Sequence, residues 1–159
     1  MRYISFTKVA LPFGWLGNMS PYPVEYQGKT WKTTEALFQS LRFNDENLRE
    51  EIRKEASPMG AKLKAKKFIK KFGESKMCVK PLSEKDLDNM RMCVKLKIDQ
   101  HPSLLKQLIE TKDLPIYEDV SSRGKRGSNL FWGALQENGL WIGDNHMGKI
   151  WEEIRDFYK

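Results

Sequence analysis

From Thr33 to Glu110 apolar residues return every three or four positions, in blocks separated by cap and breaker residues. This rhythm commits the middle of the chain to amphipathic helices. Thr33 or Thr34 can cap a first helix running to about Asn44, and Asp45–Lys54 forms a second with Leu48 and Ile52 on one side. Ser57-Pro58 starts a third, because proline in a first turn loses only an N–H that would have no helical partner. Ala65, Phe68, Ile69 and Phe72 then recur at helical spacing, and Gly73 ends the helix. Ser83 caps a fourth with Leu87, Met90, Val94 and Ile98 inward. His101-Pro102-Ser103 breaks it and opens a fifth carrying Leu104, Leu105, Leu108 and Ile109.

The two ends of the chain read differently. The first thirty residues are rich in Gly, Pro and aromatics, and Tyr22–Gly28 is an extended piece closing at a turn. Leu114–Glu118 is a short strand, Asp119–Asn129 the most mobile loop, and Leu130–Trp132 and Leu140–Ile142 short extended pieces. A last helix runs from about Asn145 to Tyr158. The expected class is α+β, predominantly α-helical, as a single domain over residues 1–159 with a few short strands.

No apolar run approaches the length of a membrane span, and the N-terminal residues carry neither a long apolar core nor a small-residue cleavage site. A cytoplasmic protein without membrane contact is expected. Cys78 and Cys93 form no CxxC pair, and with His101 and His146 they offer no zinc spacing. They read as reduced, semi-buried thiols, and no metal or other cofactor is expected. The net charge of +7 favours an anionic partner without choosing between a phosphorylated small molecule and nucleic acid. No obligate protein partner is indicated.

Four stretches carry candidate chemistry. In Thr33–Phe43, helical spacing puts Glu35, Phe38, Gln39 and Arg42 on one face, with Leu37 and Leu41 on a neighbouring stripe. Glu35 lies in the first turn, where free N–H groups and the helix dipole favour an anion. A carboxylate beside an aromatic and an amide suits stabilisation of a sugar cation or activation of water; it equally suits a Glu that only helps the helix start. In Leu130–Gly133 and Gly143–Gly148, Trp132 offers a flat stacking face and Asn145 a polar clamp; the alternatives are a core indole and a cap of the last helix. In Gly14–Pro23, Asn18 can bond a ligand or loop backbone. In Ser57–Lys62, Lys62 follows the cap closely and can reach the cleft of Glu35, whereas Lys64, Lys66, Lys67, Lys70 and Lys71 form an exposed face.

The order of these pieces resembles the NADAR/YbiA-like N-glycosidase family over nearly the whole chain. It runs from an Asn-containing loop through Pro-Tyr-Pro-Val, Gly-Lys-Thr-Trp, Thr-Glu-x-x-Phe-Gln, Ile-Arg…Ser-Pro…Ala-Lys, Gln-His-Pro and Trp-Gly to Gly-x-Asn-x-x-Gly. The resemblance implies a largely helical single domain that cleaves the bond between a ribose-type sugar and a base-like nitrogen. Two substrate types are associated with it: phosphoribosylated pyrimidine intermediates of riboflavin biosynthesis, and ADP-ribose on guanine. By position, Glu35 matches the family's key carboxylate. Phe38, Gln39, Trp132 with Gly133, and Asn145 match site-lining residues, and Asn18 and Lys62 nearby polar ones. The chain departs at Ala36, where the family often has His, at Ala134, where an acidic residue is common, and at Leu82, where a Trp is common.

Breaking a C1′–N bond builds positive charge on the sugar, so the expected roles follow. Glu35 acts as electrostatic stabiliser and general base; Trp132 and Phe38 stack; Gln39, Asn18 and Asn145 bind hydroxyls; Lys62, helped by Arg42, binds phosphate. In a second route Lys62 attacks the sugar carbon and forms a Schiff base, which borohydride would trap. The basic charge and the Arg123–Arg126 loop lean toward ADP-ribosylated guanine, in nucleotides or nucleic acid. A third reading is a non-enzymatic basic helical protein that binds nucleic acid through the lysines of its third helix.

Overall fold

The computed structural model describes residues 2–159. It is α+β and mostly helical, with seven α-helices and six short strands among the described residues. The chain divides into two compact units, one spanning Asn18–Gln100 and the other built from its two ends, up to Gly17 and from His101 to Lys159.

The Asn18–Gln100 unit begins with a hairpin of β2 (Val24–Tyr26) and β3 (Lys29–Trp31), following β1 (Ile4–Phe6) of the other unit. Gln27 and Gly28, both at positive φ, make the tight turn whose twist matches that of its strands. Four helices follow: α1 (Thr34–Ser40), α2 (Glu46–Lys54), α3 (Pro58–Phe72) and α4 (Glu84–Gln100). The first three start where the caps predict. Thr33 Oγ1 accepts the Ala36 N–H, Asp45 Oδ1 that of Leu48, and Ser57 Oγ that of Gly60. Every residue of α1 is buried, and α2, α3 and α4 pack around it. Helix α1 is shorter than its spacing predicts. Asn44 donates to the Lys76 carbonyl and Phe43 bridges Met77, so pairing with a distant segment replaces the last helical turn. The predicted inward stripe of α4, Leu87, Met90, Val94 and Ile98, is buried throughout.

In the unit built from the chain ends, β1 pairs in parallel with β4 (Ile116–Glu118), Ile4 opposite Ile116. Helix α5 (Pro102–Glu110) buries Leu104 and Leu108 and leaves Ile109 exposed. Residues 130–132, expected extended, instead belong to a one-turn helix, α6 (Asn129–Trp132), because the N–H groups of Phe131 and Trp132 both turn back to the Ser128 carbonyl. The hairpin of β5 (Leu135–Glu137) and β6 (Leu140–Ile142) and the final helix α7 (His146–Tyr158) complete the unit. Helix α7 packs on β4, and its fully buried Trp151 donates to the Leu16 carbonyl at 3.0 Å. No helix among the described residues is long and apolar enough to cross a membrane.

Candidate functional site

The buried helix α1 carries a chain of polar side chains one turn apart. Glu35, Gln39 and Arg42 are 8%, 6% and 9% exposed, so each needs partners inside the protein. Gln39 Nε2 donates to Glu35 Oε2 at 2.6 Å, and Gln39 Oε1 accepts from Arg42 Nη1 at 3.3 Å. The guanidinium has only donors, so it fixes which way the Gln39 amide turns, and that orientation presents an N–H to the carboxylate. The Glu35 backbone N–H is taken by the Asn18 carbonyl at 3.0 Å. Glu35 Oε1 has no protein partner among the described residues and is not sealed from solvent. One carboxylate oxygen is therefore oriented by the protein and the other is available for chemistry.

Arg42 is itself held by a residue that sequence reading missed. Asp86 of α4, fully buried, takes Arg42 Nε on Oδ1 at 3.0 Å and Nη2 on Oδ2 at 2.7 Å, a two-pronged pair. Asp86 Oδ2 also accepts the N–H of Leu82, a residue at φ 65. The Arg42 guanidinium lies 4.8 Å from the Phe38 ring centre, so both prongs and one ring face are occupied. Its geometry fits a positioning role for Gln39 better than the direct phosphate contact expected of it.

Helix α4 also supports the Asn18 loop. The half-buried Asn18 side chain donates to Met90 Sδ at 3.3 Å, and Lys97 Nζ donates to Ser20 Oγ at 2.9 Å and lies 5.4 Å from the Tyr22 ring centre. Lys97 is fully buried, and burial pulls its amine down from 10.5 to about 7. Burial pushes the Cys93 thiol far above its ordinary range, and the charges of Glu35 and Asp86 add to the effect. Cys93 is thus an unreactive core thiol. Cys78 is exposed rather than semi-buried, with its Sγ directed at the Leu41 carbonyl.

The structure therefore brings Glu35, Phe38, Gln39, Arg42 and Asn18 together around α1. Lys62 sits one residue after the buried Ala61 of α3, is exposed, and has no ion pair among the described residues. No group of three His, Cys, Asp or Glu side chains is arranged to hold a metal among the described residues.

Trp132, Gly133 and Asn145 lie in the other unit. Trp132 is half-buried at the end of α6, edge-on to Phe131 at 4.9 Å, and Phe131 lies 4.3 Å from the His146 ring. A side chain at Gly133 would meet the Glu118 carbonyl at 2.6 Å, so glycine lets the segment that leaves α6 approach β4. Asn145 stands at the start of α7, but its side chain makes no cap bond, which corrects the capping role. At φ 54 it turns toward β4 instead, with Nδ2 donating to the Ile116 carbonyl at 2.8 Å and Oδ1 accepting the Glu118 N–H at 3.0 Å. Gly148 completes this contact, since any side chain there would run into the Ile116 carbonyl oxygen. Of the departures from the family pattern, Ala36 and Ala134 are buried, whereas Leu82 is exposed.

Comparison with known proteins bears on this geometry. A family model described as the NADAR domain matches residues 5–158. Proteins named N-glycosidase YbiA from Escherichia coli (strain K12) and from Shigella boydii serotype 4 are each 29% identical over 153 residues, covering 96% of this chain and 86% of theirs. The NMR structure of the E. coli protein YbiA aligns with a TM-score of 0.74 at 28% identity, covering 99% of this chain and 86% of that one.

Proposed function

Since the chain belongs to the NADAR family, we propose that it is an N-glycosidase that hydrolyses the C1′–N bond between a ribose-type sugar and a base-like nitrogen, acting on ADP-ribose attached to guanine. The relatives named N-glycosidase YbiA support the reaction class. The observation that carries the reading is the half-committed carboxylate of Glu35, with Oε2 held by Gln39 and Oε1 without a protein partner among the described residues.

In the proposed reaction, positive charge builds on the sugar ring as the bond to nitrogen lengthens. Glu35, in a site of low exposure, stabilises that charge and accepts a proton from the attacking water. The base nitrogen leaves with the bonding pair and takes up a proton. Gln39 keeps the carboxylate aimed and Arg42 keeps Gln39 aimed; with Asp86 opposite Arg42, the support adds no net charge. Phe38 and Asn18 are proposed as residues that shape the sugar subsite and Lys62 as the cation for phosphate. In the other unit Trp132, beside Gly133, is proposed as a stacking face for a base, whereas the Asn145 amide, expected to bind a hydroxyl, is taken up by the β4 backbone.

The test is parallel incubation of the protein with an oligonucleotide carrying ADP-ribosylated guanine and with a phosphoribosylaminopyrimidine, products being read by mass spectrometry. Free ADP-ribose from the first supports the proposal. Release of ribose phosphate from the second alone replaces its substrate, and release from neither refutes the reaction.

A further inference from the structure

The net charge of the chain is concentrated on one helix. The sequence has 28 basic and 21 acidic residues; α3 holds six of the lysines and no acid, which leaves 22 against 21 for everything else. Lys62, Lys66, Lys67, Lys70 and Lys71 are exposed, and Lys64 is half-buried. Three lysine pairs fall at i,i+4, namely 62–66, 66–70 and 67–71, a spacing at which like charges weaken a helix. The neighbouring helices behave in the opposite way. On α2, Arg53 pairs with Glu50, and on α4, Arg91 pairs with Asp88 and Lys95 with Asp99. On α3 the ion pair is Lys64 with Glu55, at 3.7 Å, while Lys66, Lys67 and Lys70 have none among the described residues.

These cations are ordered in space. At 1.5 Å per residue, Lys62, Lys66 and Lys70 follow one another about every 6 Å along the helix. Lys64, Lys66, Lys67 and Lys70 edge an open groove beside Gly60 and Leu63. The apolar stripe of α3, Ala61, Ala65 and Phe68, is buried in the core of its unit, and the helix's exposed large apolar side chains are Met59 and Leu63, too narrow a face for a helix lying in a bilayer surface. A row of exposed cations with only Met59 and Leu63 exposed beside it matches a repeating line of phosphates better than a membrane surface.

We infer that the exposed face of α3 is a docking surface for the sugar-phosphate backbone of a nucleic acid, so that the substrate base is presented within a polynucleotide. This deepens the proposed function and rests on it for the identity of the substrate. Binding itself does not depend on catalysis.

The test is fluorescence anisotropy with an unmodified, labelled single-stranded 20-mer over a salt series, for the wild-type protein and for Lys66→Gln/Lys67→Gln/Lys70→Gln. All three changes are at exposed positions, and Lys62 is left intact. The wild type is expected to bind, and the variant to weaken about tenfold or more at 50 mM salt, with its log–log salt slope shallower by about 2, as loss of three phosphate contacts requires. Hydrolysis of an ADP-ribosylated guanine mononucleotide is expected to be unchanged in the variant. Equal oligonucleotide binding by both proteins, no binding by the wild type, or tighter binding to phosphatidylserine vesicles than to the 20-mer would each overturn the inference. An inactive protein that binds through these lysines would leave this inference standing and refute the proposed reaction instead.

Discussion

Replacing Asp86 by alanine probes the support of the candidate site at its most costly point. Both Asp86 carboxylate oxygens hold Arg42, one of them also accepts the Leu82 N–H, and the residue is fully buried. In Asp86→Ala the guanidinium keeps its place over Phe38 and its bond to Gln39 but loses its counter-charge, at a position only 9% exposed. Removing one partner of a buried ion pair typically costs about 3–5 kcal/mol, and the orphaned Leu82 N–H adds about 1 kcal/mol or more. Against a total stability of roughly 5–15 kcal/mol, that places the variant near its unfolding threshold. Urea denaturation followed by tryptophan fluorescence reads the loss. Removing both charges in Arg42→Met/Asp86→Leu takes away the desolvation penalty together with the attraction. The double variant should therefore be more stable than Asp86→Ala by about 2 kcal/mol. The folded double variant should still show a lower kcat, because nothing then fixes the Gln39 amide toward Glu35. A loss below about 1 kcal/mol in the single variant, or a double variant no more stable than the single, would refute the reasoning.

Lys97 gives a pH signature. Its folded pKa of about 7 lies below the unfolded 10.5, so between these values the unfolded chain holds a proton that the folded one lacks. Stability should therefore rise as pH climbs from 7 toward 10.5 and be lowest below 7, a swing on the order of 4 kcal/mol. Lys97→Met should lack that rise, and parallel stability–pH curves for the two proteins would contradict the assignment. Gly148→Ala forces a methyl into the Ile116 carbonyl and should cost at least about 2 kcal/mol, read as a lowered Tm; an unchanged Tm would mean that α7 and β4 are less tightly joined than described.

Much of this arrangement was legible locally. Thr33, Asp45 and Ser57 mark helix starts because a short polar side chain satisfies a free N–H within three residues. Glu35, Gln39 and Arg42 fall into line because helical spacing puts them one turn apart. What was not legible depends on distant partners. Asp86 lies 44 residues from Arg42, and no periodicity links them. The early end of α1 comes from backbone pairing with residues 76–79, and the turn of α6 from contacts that outweigh the strand preference of Leu-Phe-Trp. Asn145 looked like a cap because it precedes a helix, but its left-handed backbone swings the amide to β4. Lys97 did leave a signal. It sits seven residues after Met90 on an inward stripe, where a lysine is out of place unless something buried receives it.

The central claim is that Glu35 stabilises the breaking sugar–nitrogen bond. Single-turnover hydrolysis of ADP-ribosylated guanine by Glu35→Gln, with circular dichroism and Tm as checks on the fold, tests it most directly. The account predicts a native-like fold and a rate about a hundred- to a thousandfold below wild type. A folded Glu35→Gln protein that cleaves at the wild-type rate would contradict it.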